Sequence, residues 1–145
     1  MIYCILGNSA AGKDTLVDNL VKDKLLQKYY PQLTFKRLPM VTTRPKRDKE
    51  DDNVYEFITY DEFFENYYRP NKLIEHRAYD VATADGGDTW FYGTYIPDNL
   101  TLEDLNEQMF VVPCSASQYL NCCKYFKDKL DLIYPIVLHC RDVIR

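Results

Sequence analysis

The chain has 145 residues, with 18 Lys and Arg against 22 Asp and Glu and a formal net charge of −4. This length suits one domain with a real core and is too short for two ordinary ones, and the acidic balance argues against a general nucleic-acid binder. Apolar runs are only strand-length, so neither a membrane span nor a signal peptide is expected. Cys4, Cys114, Cys122, Cys123 and Cys140 show no paired metal-ligand spacing and read as buried free thiols of a cytoplasmic protein.

A strand is predicted over residues 2–6. It runs into Gly7-Asn8-Ser9-Ala10-Ala11-Gly12-Lys13-Asp14-Thr15, with a helix expected over 13–28 and a break at Pro31. Strand, glycine loop and helix in this order make a phosphate-binding P-loop, G-x-x-x-x-G-K. Glycines let backbone N–H groups turn inward, the helix N-terminus adds partial positive charge, and a lysine supplies a mobile ammonium. Asn8, Ser9, Ala10, Ala11, Gly12, Lys13, Asp14 and Thr15 are therefore the expected residues binding the phosphates of a nucleotide. Asp14 stands where Ser or Thr is usual. A carboxylate beside phosphates needs a cation between them, so Asp14 either takes Mg²⁺ or turns away and leaves it to Thr15. The helix macrodipole alone also favours an aspartate there.

Further along, a strand is predicted over 35–42 and a charged surface loop over 43–53. A short strand follows over 54–58. Thr59 and Glu62 form a capping box for a helix reaching residue 68, and Asn71 opens a turn. A strand over 73–75 precedes a hairpin whose arms, 78–84 and 89–92, flank Asp85-Gly86-Gly87-Asp88. Trp90 belongs to that hairpin, and His76 reads as a solvent-facing strand residue. Thr101 and Asp104 cap a short helix, and residues 109–112 form a buried parallel strand. Ser115 and Gln118 start a helix to about 130, packed through Tyr119, Leu120, Cys123, Phe126 and Leu130. A last strand covers 135–140, with His139 as a core residue, and residues 141–145 open a helix. The fold class is α/β: a parallel sheet flanked by helices in a single domain over 1–145, with a small mixed unit over 44–94.

Thr42-Thr43-Arg44-Pro45-x-Arg47 follows the second strand, and Tyr55-Glu56-Phe57, Ile74-Glu75 and Tyr92-Gly93-Thr94 come later in that order. With the P-loop, this series resembles the guanylate kinase family, whose pattern runs T-T-R-x-x-R, D-Y-x-F, F-I-E and Y-Y-G-[ST]; the likeness covers residues 1–95. The resemblance implies an ATP- and Mg²⁺-dependent kinase passing the γ-phosphate to GMP, dGMP or a related monophosphate, with 44–94 as the acceptor-binding insertion. Lys13, Arg44 and Arg47 would be catalytic. Arg44, Arg47, Tyr55 and Tyr92 would hold the acceptor phosphate, Glu75 would read the base and Thr94 would add a hydroxyl. Asp14 and Thr15 are the metal candidates. A guanidinium suits phosphate because it is planar, always charged and grips two oxygens at once. The implied partners are small-molecule nucleotides, with no nucleic acid and no membrane, for a monomer or homodimer.

The chain departs from the family at several points. Met40 stands where a serine helps read guanine, and the stretch from Glu75 to Tyr92 is longer than usual. Val111-Val112-Pro113-Cys114 carries no acid where the family has aspartates. The resemblance implies an arginine-bearing lid and a final strand, which are expected to be missing here, with Arg141 and Arg145 where the lid would begin. Two other classes fit the same motifs: a kinase of a phosphorylated sugar, and a guanylate-kinase-like binding module with little turnover.

Overall fold

The computed structural model describes residues 1–8, 11–47 and 54–139, so Ser9, Ala10, Cys140, Arg141 and Arg145 lie outside the described residues. Contacts divide the chain into two units, Met1–Arg37 with Leu100–Arg145, and Leu38–Asn99.

The first unit is a four-stranded parallel sheet built from β1 (Ile2–Leu6), β2 (Phe35–Arg37), β7 (Met109–Cys114) and β8 (Ile133–Val137), in the order β2-β7-β1-β8. Side chains alternate across the strands. Ile5 and Val111 therefore face one way, where they bury Val17 of α1 (Lys13–Lys22). Cys4 and Cys114 face the other way, toward Cys122 of α5 (Ala116–Tyr125). The predicted helix over 13–28 is two helices. The Asp23 carboxylate accepts from the N–H groups of Leu25 and Leu26, both at 2.9 Å, and so starts α2 (Lys24–Tyr29) afresh. Full capping boxes begin α4 (Leu102–Glu107) at Thr101 and Asp104 and α5 at Ser115 and Gln118. The buried stripe of α5 is Gln118 and Cys122, continuing into buried Phe126, whereas Leu120 and Leu130 are exposed. It is rotated from the predicted stripe because the Gln118 amide oxygen accepts the Ser115 N–H, satisfying its polar end while its stem turns inward. The last strand spans Ile133–Val137, shifted toward the N-terminus, and leaves His139 exposed rather than in the core. No helix among the described residues is long and apolar enough to cross a membrane.

The second unit is a mixed four-stranded sheet, β4-β3-β6-β5. Its strands are β3 (Met40–Thr42), β4 (Tyr55–Phe57), β5 (Leu73–Val81) and β6 (Asp88–Tyr95). The strand predicted over 35–42 is split. Its first half joins the parallel sheet and its second half this one. Pro39 stands at the break, where it cannot donate to a ladder. The segments predicted separately over 73–75 and 78–84 are one strand, β5, which pairs with β6 from Leu73↔Tyr95 to Val81↔Asp88. Thr59 caps a short helix, α3 (Tyr60–Glu62), which widens into a π-helical stretch over Phe63–Tyr68. Its aromatics pack on Val41, Leu73 and Phe91, the unit's core face.

A bulge between Leu73 and Glu75 decides where the site residues point. Without it, residues two apart would share a face. The extra residue puts Leu73 into the aromatic core and turns Glu75 onto the opposite face, beside Thr94. Gly93 completes this arrangement, since a Cβ there would lie 2.7 Å from Leu73 Cδ2. Gly93→Ala should cost about 1–3 kcal/mol of stability, the usual range for overpacking. Urea unfolding checks this, and an unchanged midpoint would contradict it.

Candidate functional site

Gly7 and Asn8 leave the carboxyl end of β1, an interior strand of the parallel sheet, which is the edge where ligands of open α/β sheets bind. Gly12 has φ 82°, a left-handed conformation open to glycine, and caps α1 with no side-chain hydrogen bond. The N-terminus of this ten-residue helix thus ends on backbone alone. Lys13 Nζ folds back and donates to the Gly7 carbonyl at 2.8 Å, and Ala11 N donates to the Asn8 carbonyl at 2.9 Å. Asp14 and Thr15 are both exposed in the first turn.

In the second unit, the face opposite the aromatic core gathers most of the proposed acceptor residues. Met40 and Thr42 on β3 pair with Thr94 and Tyr92 on β6 and with Tyr55 and Phe57 on β4. Arg44, two residues beyond β3, is only 5% exposed. Its guanidinium lies over Phe57 and Tyr55, 5.3 and 5.7 Å from the ring centroids. Tyr55 meets Tyr92 edge-on at 5.8 Å. On the other side of Tyr92, the Arg77 guanidinium sits 5.0 Å from the ring centroid. Glu75, 2% exposed, accepts from Thr94 Oγ1 at 2.7 Å and from Arg77 Nη1 at 2.9 Å. The sheet therefore brings Arg44, Tyr55, Tyr92, Glu75 and Thr94 to one face. Arg47 is exposed, three residues beyond buried Arg44. A cleft of about 370 Å³ lined by Lys46, Tyr55, Glu56 and Phe57 opens at this edge, within the size range of small-ligand sites.

Arg77 is the member that sequence reading missed. Burial alone would lower its pKa, but the Glu75 carboxylate, followed by the Tyr55 and Tyr79 phenols, holds it above the usual value. The signal was the alternation Glu75-x-Arg77-x-Tyr79, legible only once 73–81 is taken as one strand. His76, on the other face, is exposed and meets Tyr68 edge-on at 5.2 Å.

Among the described residues, one group of three His, Cys, Asp or Glu ligand atoms lies within mutual reach: Cys4, Cys114 and Cys122, their sulfurs within 4.8 Å of one another. Linear spacing gave no sign of this. Ligation requires thiolates. Here hydrogen bonding to Cys114 is the largest cause pushing the Cys4 and Cys122 thiols up, and burial adds to it. With no ion bound, the Cys4 and Cys122 thiols are thus held neutral. Tyr95 is likewise pushed up, by burial first and then by Tyr67 and Glu56. In the unfolded chain thiols ionise near about pH 8.5. Their contribution to stability is full below that pH and is lost as pH rises above it, by about 1.4 kcal/mol per pH unit for each thiol. Urea unfolding in reductant at pH 7 and pH 10 should differ by at least about 2 kcal/mol. Equal stabilities would contradict the buried neutral cluster.

No protein-family model matches the chain, and no curated protein matches it in sequence. Structural comparison does find a counterpart. The guanylate kinase from Anaplasma phagocytophilum superposes with a TM-score of 0.54 at 17% identity, over 94% of this chain and 57% of that one. The fold is guanylate kinase-like. This likeness is one of architecture, a parallel sheet flanked by helices, and the chain spans little more than half the length of that kinase.

Proposed function

We propose that the protein is an ATP-dependent nucleoside monophosphate kinase, acting on GMP, dGMP or a related monophosphate. The observation that carries this reading is Arg44: a guanidinium 5% exposed, wedged against Tyr55 and Phe57, on the face that also holds Tyr92, Thr94 and Glu75. Few solvated-loop arginines are buried against two rings, and a guanidinium pre-set in this way suits a phosphate. The guanylate kinase-like fold and the ordered motifs support the same assignment.

In this reading the loop before α1 takes the ATP phosphates. The backbone-only cap at Gly12 and the Lys13 ammonium resting on Gly7 fit that role, since both become donors to an anion once one is bound. Asp14 and Thr15, exposed in the first turn, would hold Mg²⁺, whose charge offsets that of the phosphates. Arg44 and Arg47 fix the acceptor phosphate, with the Tyr55 and Tyr92 hydroxyls as further donors. One of its oxygens attacks the γ-phosphorus, the bond to the β,γ-bridging oxygen breaks, and ADP leaves. No covalent enzyme intermediate is needed, so the side chains act by positioning and by offsetting charge.

A coupled assay of ADP release with ATP, Mg²⁺ and a panel of monophosphates tests the proposal. ADP release should require both Mg²⁺ and a monophosphate. Release no faster with any monophosphate, or equally fast with ribose 5-phosphate, would sink it.

A further inference from the structure

We infer that Arg77 is the group that reads the acceptor's base, and that it selects a 6-oxopurine through the adjacent O6 and N7 acceptors. The inference rests on the monophosphate kinase reading and names which member of the Glu75–Arg77 pair meets the base.

Access is the first ground. The Glu75 side chain is 2% exposed and that of Arg77 20%, so Arg77 is the member that solvent and ligand reach. Glu75 lies beneath, with Thr94 and Arg77 both bonded to its Oε1. Its role is to hold and orient the guanidinium.

Geometry is the second. Arg77 is fixed at two points, through Nη1 on Glu75 at 2.9 Å and over the Tyr92 ring at 5.0 Å. A guanidinium carries five N–H donors in a planar fork. One serves Glu75, which leaves a fixed edge of parallel donors. That edge matches two adjacent acceptors. Guanine and hypoxanthine present them as O6 and N7, whereas adenine carries a donor amine in place of O6 and pyrimidines have no N7.

Charge is the third. Arg44 stands on the Tyr55 side of Tyr92 and Arg77 on the other, so a nucleotide laid across Tyr92 puts its phosphate at one guanidinium and its base at the other. The Glu75 carboxylate beside Arg77 repels a phosphate dianion but not a neutral base edge. The phosphate thus goes to Arg44. Met40, paired with Thr94 on the same face, has no proton to give O6, which leaves that acceptor to Arg77.

Calorimetric titration of the wild-type protein with GMP, IMP, 7-deaza-GMP and AMP tests the inference. IMP lacks only the 2-amino group and should bind within about threefold of GMP. Loss of N7 in 7-deaza-GMP should weaken binding about tenfold, and AMP should fall at least as far, since each breaks the bidentate contact. In Arg77→Met the differences among GMP, 7-deaza-GMP and AMP should vanish. Because that variant leaves Glu75 buried without its partner, Arg77→Met/Glu75→Gln is measured beside it. Equal binding of GMP and 7-deaza-GMP by the wild type, with IMP much weaker, would give the reading to Glu75 and overturn the inference. So would an Arg77→Met protein that loses every monophosphate alike, ribose 5-phosphate included, because Arg77 would then be a phosphate ligand. Binding of no monophosphate at all would overturn both this inference and the kinase reading.

Discussion

Replacing Arg44 with Ala should lower kcat/KM for the monophosphate by about a thousandfold, the scale on which an arginine that offsets charge in phosphoryl transfer acts. The side chain is 5% exposed and bracketed by Tyr55 and Phe57, so its position is set before any ligand arrives. Pre-set donors give up little conformational freedom on binding. Arg44→Lys should recover little of the loss, because an ammonium neither stacks on two rings nor offers a planar fork. The Ala variant should also lose stability through the lost ring contacts, each worth about 0.5–2 kcal/mol. Initial-rate kinetics, with circular dichroism to confirm folding, measures both effects. An unchanged KM for the monophosphate in a folded Arg44→Ala protein would remove Arg44 from the site.

The second large effect is expected at Lys13. Lys13→Met should reduce kcat by about a hundredfold to a thousandfold, comparable to removing a fixed donor from a developing negative charge. Its hydrogen bond to the Gly7 carbonyl, 2.8 Å long, is one neutral-acceptor contact at a partly buried position. Its loss should cost only about 1 kcal/mol of stability. The two substitutions should therefore separate. Lys13→Met keeps monophosphate affinity and loses turnover, while Arg44→Ala loses both. Parallel calorimetry with GMP and assays of ADP release distinguish them. A Lys13→Met protein with wild-type turnover would show that the glycine loop is only a turn between β1 and α1.

Much of the architecture was legible where the signal is local. The capping boxes at Thr101 and Ser115 mark true helix starts, and the apolar run from Met109 is a buried parallel strand. Such signals act over four to six residues, and no tertiary contact has to override them. What escaped depends on contacts between distant segments. Periodicity gives no warning that 35–42 divides between two sheets, because two three-residue strands, Phe35–Arg37 and Met40–Thr42, follow one another closely enough to read as one; only Pro39 hints at the break. The bulge after Leu73 reverses the facing of every later residue on β5 relative to Leu73, so strict alternation from Leu73 would put Glu75 and Arg77 in the aromatic core rather than on the face of Thr94. The Cys4, Cys114 and Cys122 cluster joins β7 and the helix that follows it to β1, far away at the start of the chain. His139 looked like core because its neighbours are apolar, yet β8 ends before it and leaves it exposed.

Within the candidate site, the residue types and their order were legible, and the burial of Arg44 and Glu75 was not. A charged loop and a strand-edge carboxylate are ordinarily solvated. Here the mixed sheet supplies ring faces for one and two donors for the other. The sequence suggested Glu75 alone as the base-reading group. The fold adds Arg77 as the member of the pair that solvent reaches.

The proposed transfer requires a triphosphate at the Lys13 loop and a monophosphate at Arg44 at the same time. Adenosine and guanosine joined 5′ to 5′ through five phosphates carry both groups in one molecule, so calorimetric titration with this compound and Mg²⁺ tests the requirement directly. It should bind at least about a hundredfold more tightly than ATP or GMP alone, as expected when the second contact becomes intramolecular. Affinity no greater than that of ATP, unaffected by Arg44→Ala, would contradict a protein that grips both phosphates for transfer.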